Sequence, residues 1–248
     1  MVLVDRAAWQ NVLACQPSAK LRQGKVMIKT LLAVCLATIL IPVFIQAEAE
    51  KSVAPLIDNE RVRVWDVVLT KGQRMPIKKY ELDAVQLFLT DGDIRVNNAH
   101  GSSKEEKRKE GEAVFIKRGT EIEEEMASET PIHSVIVELK DKLGAPMENK
   151  TGLPNAFPRP RASLVLENAR LAVWGYQWNL GEPTPMHYHD KDAVVIYMEN
   201  GSLKRSTPGG EASLNDISAG EIHYIPRGAK HTELLVRGKQ RALMVKLN

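Results

Sequence analysis

The sequence predicts an all-β protein made of two copies of one barrel- or sandwich-type domain. Three observations carry that prediction: short β-type runs punctuated by turn residues, landmarks that recur at one fixed spacing, and a connector too rich in proline and glycine for regular structure. The runs in the first copy include RVRVWDVVLT at 61–70, AVQLFLT at 84–90, AVFIK at 113–117 and HSVIVEL at 133–139. Those in the second include ARLAVWGYQW at 169–178, AVVIYM at 193–198, EIHYIP at 221–226 and RALMVKL at 241–247. Apolar alternation or short apolar stretches of this length, bounded by DGD, PGG and RGA turns, are strand signals.

The spacing is constant. Gly72 and Gly181, Gly92 and Gly201, Gly111 and Gly220, Gly119 and Gly228, and Trp65 and Trp174 are each 109 residues apart, and Asp-Ala-Val recurs at 83–85 and 192–194 in the same frame. A repeat of this kind is the signature of a duplicated unit. Between the copies, residues 141–163 carry Gly144, Pro146, Gly152, Pro154, Pro158 and Pro160, a density that sustains neither a helix nor a central strand. The expected division is an upstream extension at 1–26, a leader at 27–49, a first domain at 50–142, a linker at 143–161 and a second domain at 162–248.

The leader reads as a helical signal peptide. Lys29 precedes an apolar run from Leu31 to Ile45, and Ala47-Glu48-Ala49 favours cleavage after Ala49. Fifteen residues interrupted by Pro42 fall short of the roughly 20 that cross a bilayer comfortably, so no stable membrane span is expected after cleavage. Translation is expected to start at Met27, and the mature chain to be periplasmic or extracellular. Both cysteines, Cys15 and Cys35, lie before residue 50, so the rest of the chain has no disulfide framework and no cysteine metal site. Residues 1–49 hold five basic and two acidic side chains of a chain whose net charge is +3, leaving 29 of each sign beyond. A neutral chain without basic-aromatic runs lacks the footprint of a nucleic-acid binder.

The chemistry concentrates in the second copy. GEPTPMHYHDKDAVVIYMENG at 181–201 places His187 and His189 two residues apart, on one face of a strand. Downstream, Gly220, Pro226, Gly228 and His231 form a second glycine-framed motif, from which His231 can complete a three-imidazole set for a divalent cation. Other histidines, His100, His133 and His223, read as ordinary core or surface residues.

These two motifs resemble the signature motifs of the cupin superfamily, and the pair of copies resembles a bicupin. The resemblance implies two tandem double-stranded β-helix, or jelly-roll, barrels. It also implies a metal centre at His187, His189 and His231, holding Fe, Zn, Mn, Ni or Cu. The glutamate that usually completes the family's first motif falls on Val194, and the asparagine that often ends the second falls on Leu235. Glu233, two residues past His231, is the candidate to replace the missing carboxylate and the one candidate catalytic group; its alternative is a solvated or salt-bridged residue. Asp192 and Glu182 lie near the motif among turn-like residues. Without a carboxylate ligand the site would carry a net +2 charge and favour a small anionic ligand.

In the first copy the corresponding positions hold Lys78, Tyr80 and Ile122, with Val85 in the carboxylate position. An ammonium beside a phenol repels a cation, so metal binding is not expected there. Lys78 is expected to reach solvent and Tyr80 to pack, with an acid–base pair or an anion site as the other reading. Trp174, Tyr176 and Trp178 share a strand face and read as core. The acidic and basic runs SSKEEKRKEGE and EIEEEMASE read as solvated hairpin tips and edges. Three functions stay open: a metal-dependent small-molecule oxygenase or related enzyme, a non-catalytic metal- or ligand-binding module, and a structural protein with a vestigial pocket. The first barrel would serve as a structural partner or form a homodimer.

Overall fold

The computed structural model describes residues 54–248 apart from 143, 146 and 211, and among these every regular element is a strand. The expected upstream extension and expected helical signal peptide, together with both cysteines, lie outside the described residues. No described helix is long and apolar enough to cross a membrane.

The first half contains β1 (Ile57–Asp58), β2 (Val62–Leu69), β3 (Arg74–Lys79), β4 (Asp83–Phe88), β5 (Gly92–Asn98), β6 (Ser103–Arg108), β7 (Ala113–Ile116), β8 (Glu121–Met126) and β9 (Ile132–Leu139). The second contains β10 (Ser163–Glu167), β11 (Leu171–Trp178), β12 (His187–Tyr188), β13 (Ala193–Tyr197), β14 (Gly201–Ser206), β15 (Ala212–Ile217), β16 (Ile222–Ile225), β17 (Lys230–Gly238) and β18 (Gln240–Leu247). Each half folds into a five-stranded and a four-stranded antiparallel sheet. The orders are β1-β2-β9-β4-β7 and β3-β8-β5-β6 in the first, β10-β11-β18-β13-β16 and β12-β17-β14-β15 in the second. Two jelly-roll barrels result, and the repeat is a repeat of topology as well as of landmarks.

The recurring glycines have a backbone reason. Gly72 and Gly181 (φ +73° and +77°), Gly111 and Gly220 (+85° and +81°), and Gly119 and Gly228 (+86° and +87°) all adopt the left-handed conformation that side chains resist. Gly201 is held by space instead, because a Cβ there would stand 2.7 Å from the Lys239 carbonyl.

The barrels pack through their five-stranded sheets. Val62, Val64, Val85, Leu87, Val135, Val137 and Leu139 form one continuous core with Leu171, Val173, Val194, Ile196, Leu243, Val245 and Leu247. The first four residues of each set stand 109 apart and the last three 108, one residue being lost in the turn before β18. The contact therefore has pseudo-two-fold symmetry, each barrel offering the same patch to the other. Two ion pairs follow the same symmetry: Arg61 donates to Asp192 at 3.0 Å, and Arg170 donates to Asp83 at 3.0 Å.

Two expectations need correction. EIEEEM is not an edge, because β8 lies between β3 and β5 and turns Glu124 and Met126 inward. Its alternation hides one carboxylate inside a barrel while the other glutamates stay near solvent. Asp192 is not a turn residue in water but a buried acceptor between the barrels, 6% exposed, that also receives the Arg227 N–H.

Candidate metal centre

His187 pairs directly with His231 across β12 and β17. Beyond β12 the chain stays against the same neighbour, with the His189 N–H donating to the Ala229 carbonyl at 2.9 Å and the Gly228 N–H to the His189 carbonyl at 2.7 Å. Gly228 makes the turn that brings His231 back, so both framed motifs deliver their histidines to one spot. All three side chains are buried, with one ring nitrogen each mutually within 4.8 Å. Ring centroids lie 4.5–5.3 Å apart.

The hydrogen bonding leaves lone pairs facing one another. His187 Nδ1 lies 2.9 Å from the Pro185 carbonyl, to which it donates, so Nε2 is the bare nitrogen. His189 Nε2 is buried with no partner among the described residues. An orphaned ring nitrogen in an apolar barrel is costly unless something outside the chain satisfies it. Burial depresses the pKa of all three histidines. Repulsion by the other two imidazoles reinforces the effect for His189, and His187 does so for His231; both fall to about 2. Neutral imidazole is the form that ligates. Donor type, burial and geometry therefore fit a borderline divalent ion of the Fe, Zn, Ni, Cu or Mn kind.

Val194 does not occupy the missing ligand position. Its side chain belongs to the core between the barrels, and the residues of β13 that face the barrel interior are Ala193, Val195 and Tyr197. The bend between His189 and Ala193 breaks strand alternation, so counting residues from the histidines points to the wrong face. The carboxylate beside the site is Glu233, 4% exposed, with Oε1 3.6 Å from His231 Nε2 and 3.4 Å from the Arg205 guanidinium. Thr184 pins its backbone, its hydroxyl accepting the Glu233 N–H at 2.9 Å. Leu235 joins the apolar wall.

One signal was overlooked in the repeat. Glu124 is the 109-residue counterpart of Glu233, and it too is buried, receiving a hydrogen bond from Gln86 at 3.0 Å. Burial raises its pKa. The other first-barrel positions hold no ligand set: Lys78 is half exposed, donates to Glu138 at 2.5 Å and lies 4.8 Å from the Tyr80 ring centroid. Tyr80 is buried with its hydroxyl unpartnered among the described residues. Trp174, Tyr176 and Trp178 line the second barrel as packed aromatics. His133 and His223 pair with Asp66 and Glu221, and His100 is exposed, as ordinary residues. Glu182 is exposed and paired with Arg161.

The chain has the fold of tandem cupin barrels, with a three-histidine cluster in the second barrel that could bind a metal. AerE from Microcystis aeruginosa shares this fold over 78% of the chain and 96% of its own, at 10% identity and a TM-score of 0.57. The E162A mutant of Bacillus subtilis oxalate decarboxylase does so over 76% and 69%, at 11% identity and a TM-score of 0.55. A β-alanine degradation protein of Pseudomonas aeruginosa is 28% identical over 81 residues, 33% of this chain and 80% of the relative. No family model matches the chain.

Proposed function

We propose that the C-terminal barrel binds one divalent transition metal through His187, His189 and His231, and that the protein is a metal-dependent enzyme acting on a small anionic molecule. The observation that carries this reading is the unpartnered His189 Nε2 facing two other buried, neutral imidazoles. Three protein ligands, rather than four, leave coordination positions open, the arrangement of catalytic rather than structural sites. Bound there, the metal would supply Lewis-acid or oxygen-activating chemistry. The chain's own contribution is to exclude water with the Leu235 and Val195 side chains and to hold a proton-accepting carboxylate, Glu233 Oε1, beside the ligands. The role of the Pseudomonas relative in degrading β-alanine, a small carboxylic acid, supports the same ligand class.

In this reading the N-terminal barrel is a packing partner without a metal, and the protein works outside the cytoplasm. The Ala47-Glu48-Ala49 end of an apolar leader and the lack of cysteine after Cys35 support export. Fractionation tests that part, and recovery of the chain in the cytoplasm alone would refute it; intact mass of the exported chain tests the start at Met27, which retention of Cys15 would refute. Metal analysis tests the centre. About one ion per chain is expected in the parent protein and at least a hundredfold weaker binding after His187→Ala; a metal-free parent that takes up neither Co(II) nor Zn(II) would overturn it.

A further inference from the structure

The segment between the barrels contributes to the second barrel's interior. Asn155 pairs in parallel with Tyr188, the residue between two of the histidines; the Ala156 N–H donates to the Tyr188 carbonyl at 2.8 Å, and the Tyr188 N–H to the Pro154 carbonyl at 2.9 Å. Phe157 then enters the barrel core, 5.8 Å from Trp174 and 6.4 Å from Tyr176 between ring centroids. This anchoring fixes where the next side chain goes. Arg159 lies with its guanidinium carbon 3.7 Å from the Tyr176 ring centroid, 4.6 Å from Phe157 and 5.9 Å from Trp178.

All three guanidinium nitrogens of Arg159 are buried, and none has a hydrogen-bond partner among the described residues. Trp178 Nε1, another donor on the same aromatic wall, is also buried and unpartnered. Stacking on aromatic rings offsets part of the cost of burying the charge but uses none of the five N–H donors. The nearby carboxylate, Glu233, is engaged by Arg205 instead. Burial is the main cause that depresses the pKa of His187, His189 and His231, and the Arg159 charge adds to it; burial likewise lowers Arg159 itself, opposed by the Glu233 charge. The Arg159 edge and Trp178 Nε1 are donors without an acceptor, and a guanidinium stacked by its face offers its edge as a two-pronged donor.

We propose that Arg159 is the anchor for the carboxylate of a small organic acid, delivered by the inter-barrel segment to a site beside the three histidines. The placement beside a metal rests on the reading above, but the anchor itself does not need the ion. Binding is therefore measured twice, by tryptophan fluorescence with propionate in chelator-treated protein and again after Co(II) loading. Propionamide, the same shape without the charge, is the control.

Saturable binding of propionate and not propionamide is expected, weakened about 30-fold or more in Arg159→Met and about tenfold in Arg159→Lys, which keeps the charge but loses the fork. Arg159→Met should also raise the thermal midpoint of the ligand-free protein, because it removes a buried charge with no partner. Equal binding of the two probes, or propionate binding by Arg159→Met within twofold of the parent, would overturn the proposal. So would a fall in the thermal midpoint of both variants, which would mark Arg159 as a structural clamp. Selective propionate binding in protein that takes up no Co(II) would uphold the anchor and sink the metal reading alone.

Discussion

The two barrels share a fold and an interface but differ inside. Where they meet, each valine and leucine of one barrel has its counterpart in the other, and Arg61–Asp192 mirrors Arg170–Asp83. Inside, His187, His189 and His231 are replaced by Lys78, Tyr80 and Ile122, while a buried glutamate persists at 233 and 124. The contrast separates two kinds of constraint. In a pseudo-two-fold interface each patch packs against its own counterpart, so the fit of either copy depends on the matching surface of the other. An interior is private to its barrel; one holds three clustered histidines, while the other has a cation, a phenol and a hydrocarbon at the same positions.

The contrast can be broken most forcefully at Val194. If this residue stood in the metal chamber, Val194→Glu would tighten metal binding; because it lies in the shared core, the expected outcome is a loss of about 4 kcal/mol in urea unfolding with no gain in metal affinity. The ion pairs come next, since the two differ in burial. Side-chain exposures are 11% and 7% for Arg61 and Asp192 but 25% and 21% for Arg170 and Asp83. Asp192→Ala should cost about 3 kcal/mol by leaving Arg61 buried and unpaired, and Asp83→Ala only about 1. Equal costs in denaturant melts would show that the symmetry extends to the energetics.

The pH dependence is the last comparison, and there the barrels should differ in sign. Below pH 6.5 the unfolded chain takes up protons that His187, His189 and His231 refuse in the metal-free fold, so stability is full above that value and falls as pH drops. The slope is at most about 1.4 kcal/mol per pH unit for each imidazole. Glu124 acts oppositely: its raised pKa gives stability below pH 4.5 that is lost as pH rises through the folded value. Unfolding in chelator across pH 4.5–8 should show His189→Gln flattening the acid side and Glu124→Gln stabilising the neutral side. Parallel curves for both variants and the parent would contradict this.

Much of this was legible in the residues. Left-handed glycines at matched spacing mark turns that no other residue makes easily, so the repeat and its strands follow from local chemistry, as do two histidines on one strand face. Glu124 was legible as well, since the frame that aligns the glycines aligns it with Glu233; its charged neighbours made it look solvated. Arg159 was hidden by proline-rich surroundings that exclude a helix or central strand but do not prevent a segment from packing.

What the sequence determined by itself is the duplicated β architecture, the asymmetry between the copies and the identity of the three clustered histidines. Tertiary structure alone decided that Val194 turns toward the other barrel, that Asp192 meets Arg61 across 131 residues, and that a connector carries a guanidinium into the second barrel. The reason is physical. Periodicity and turn chemistry act over a few residues and establish that a strand has two faces. Which of two apolar cores a face enters is settled only when distant strands pair and close around them.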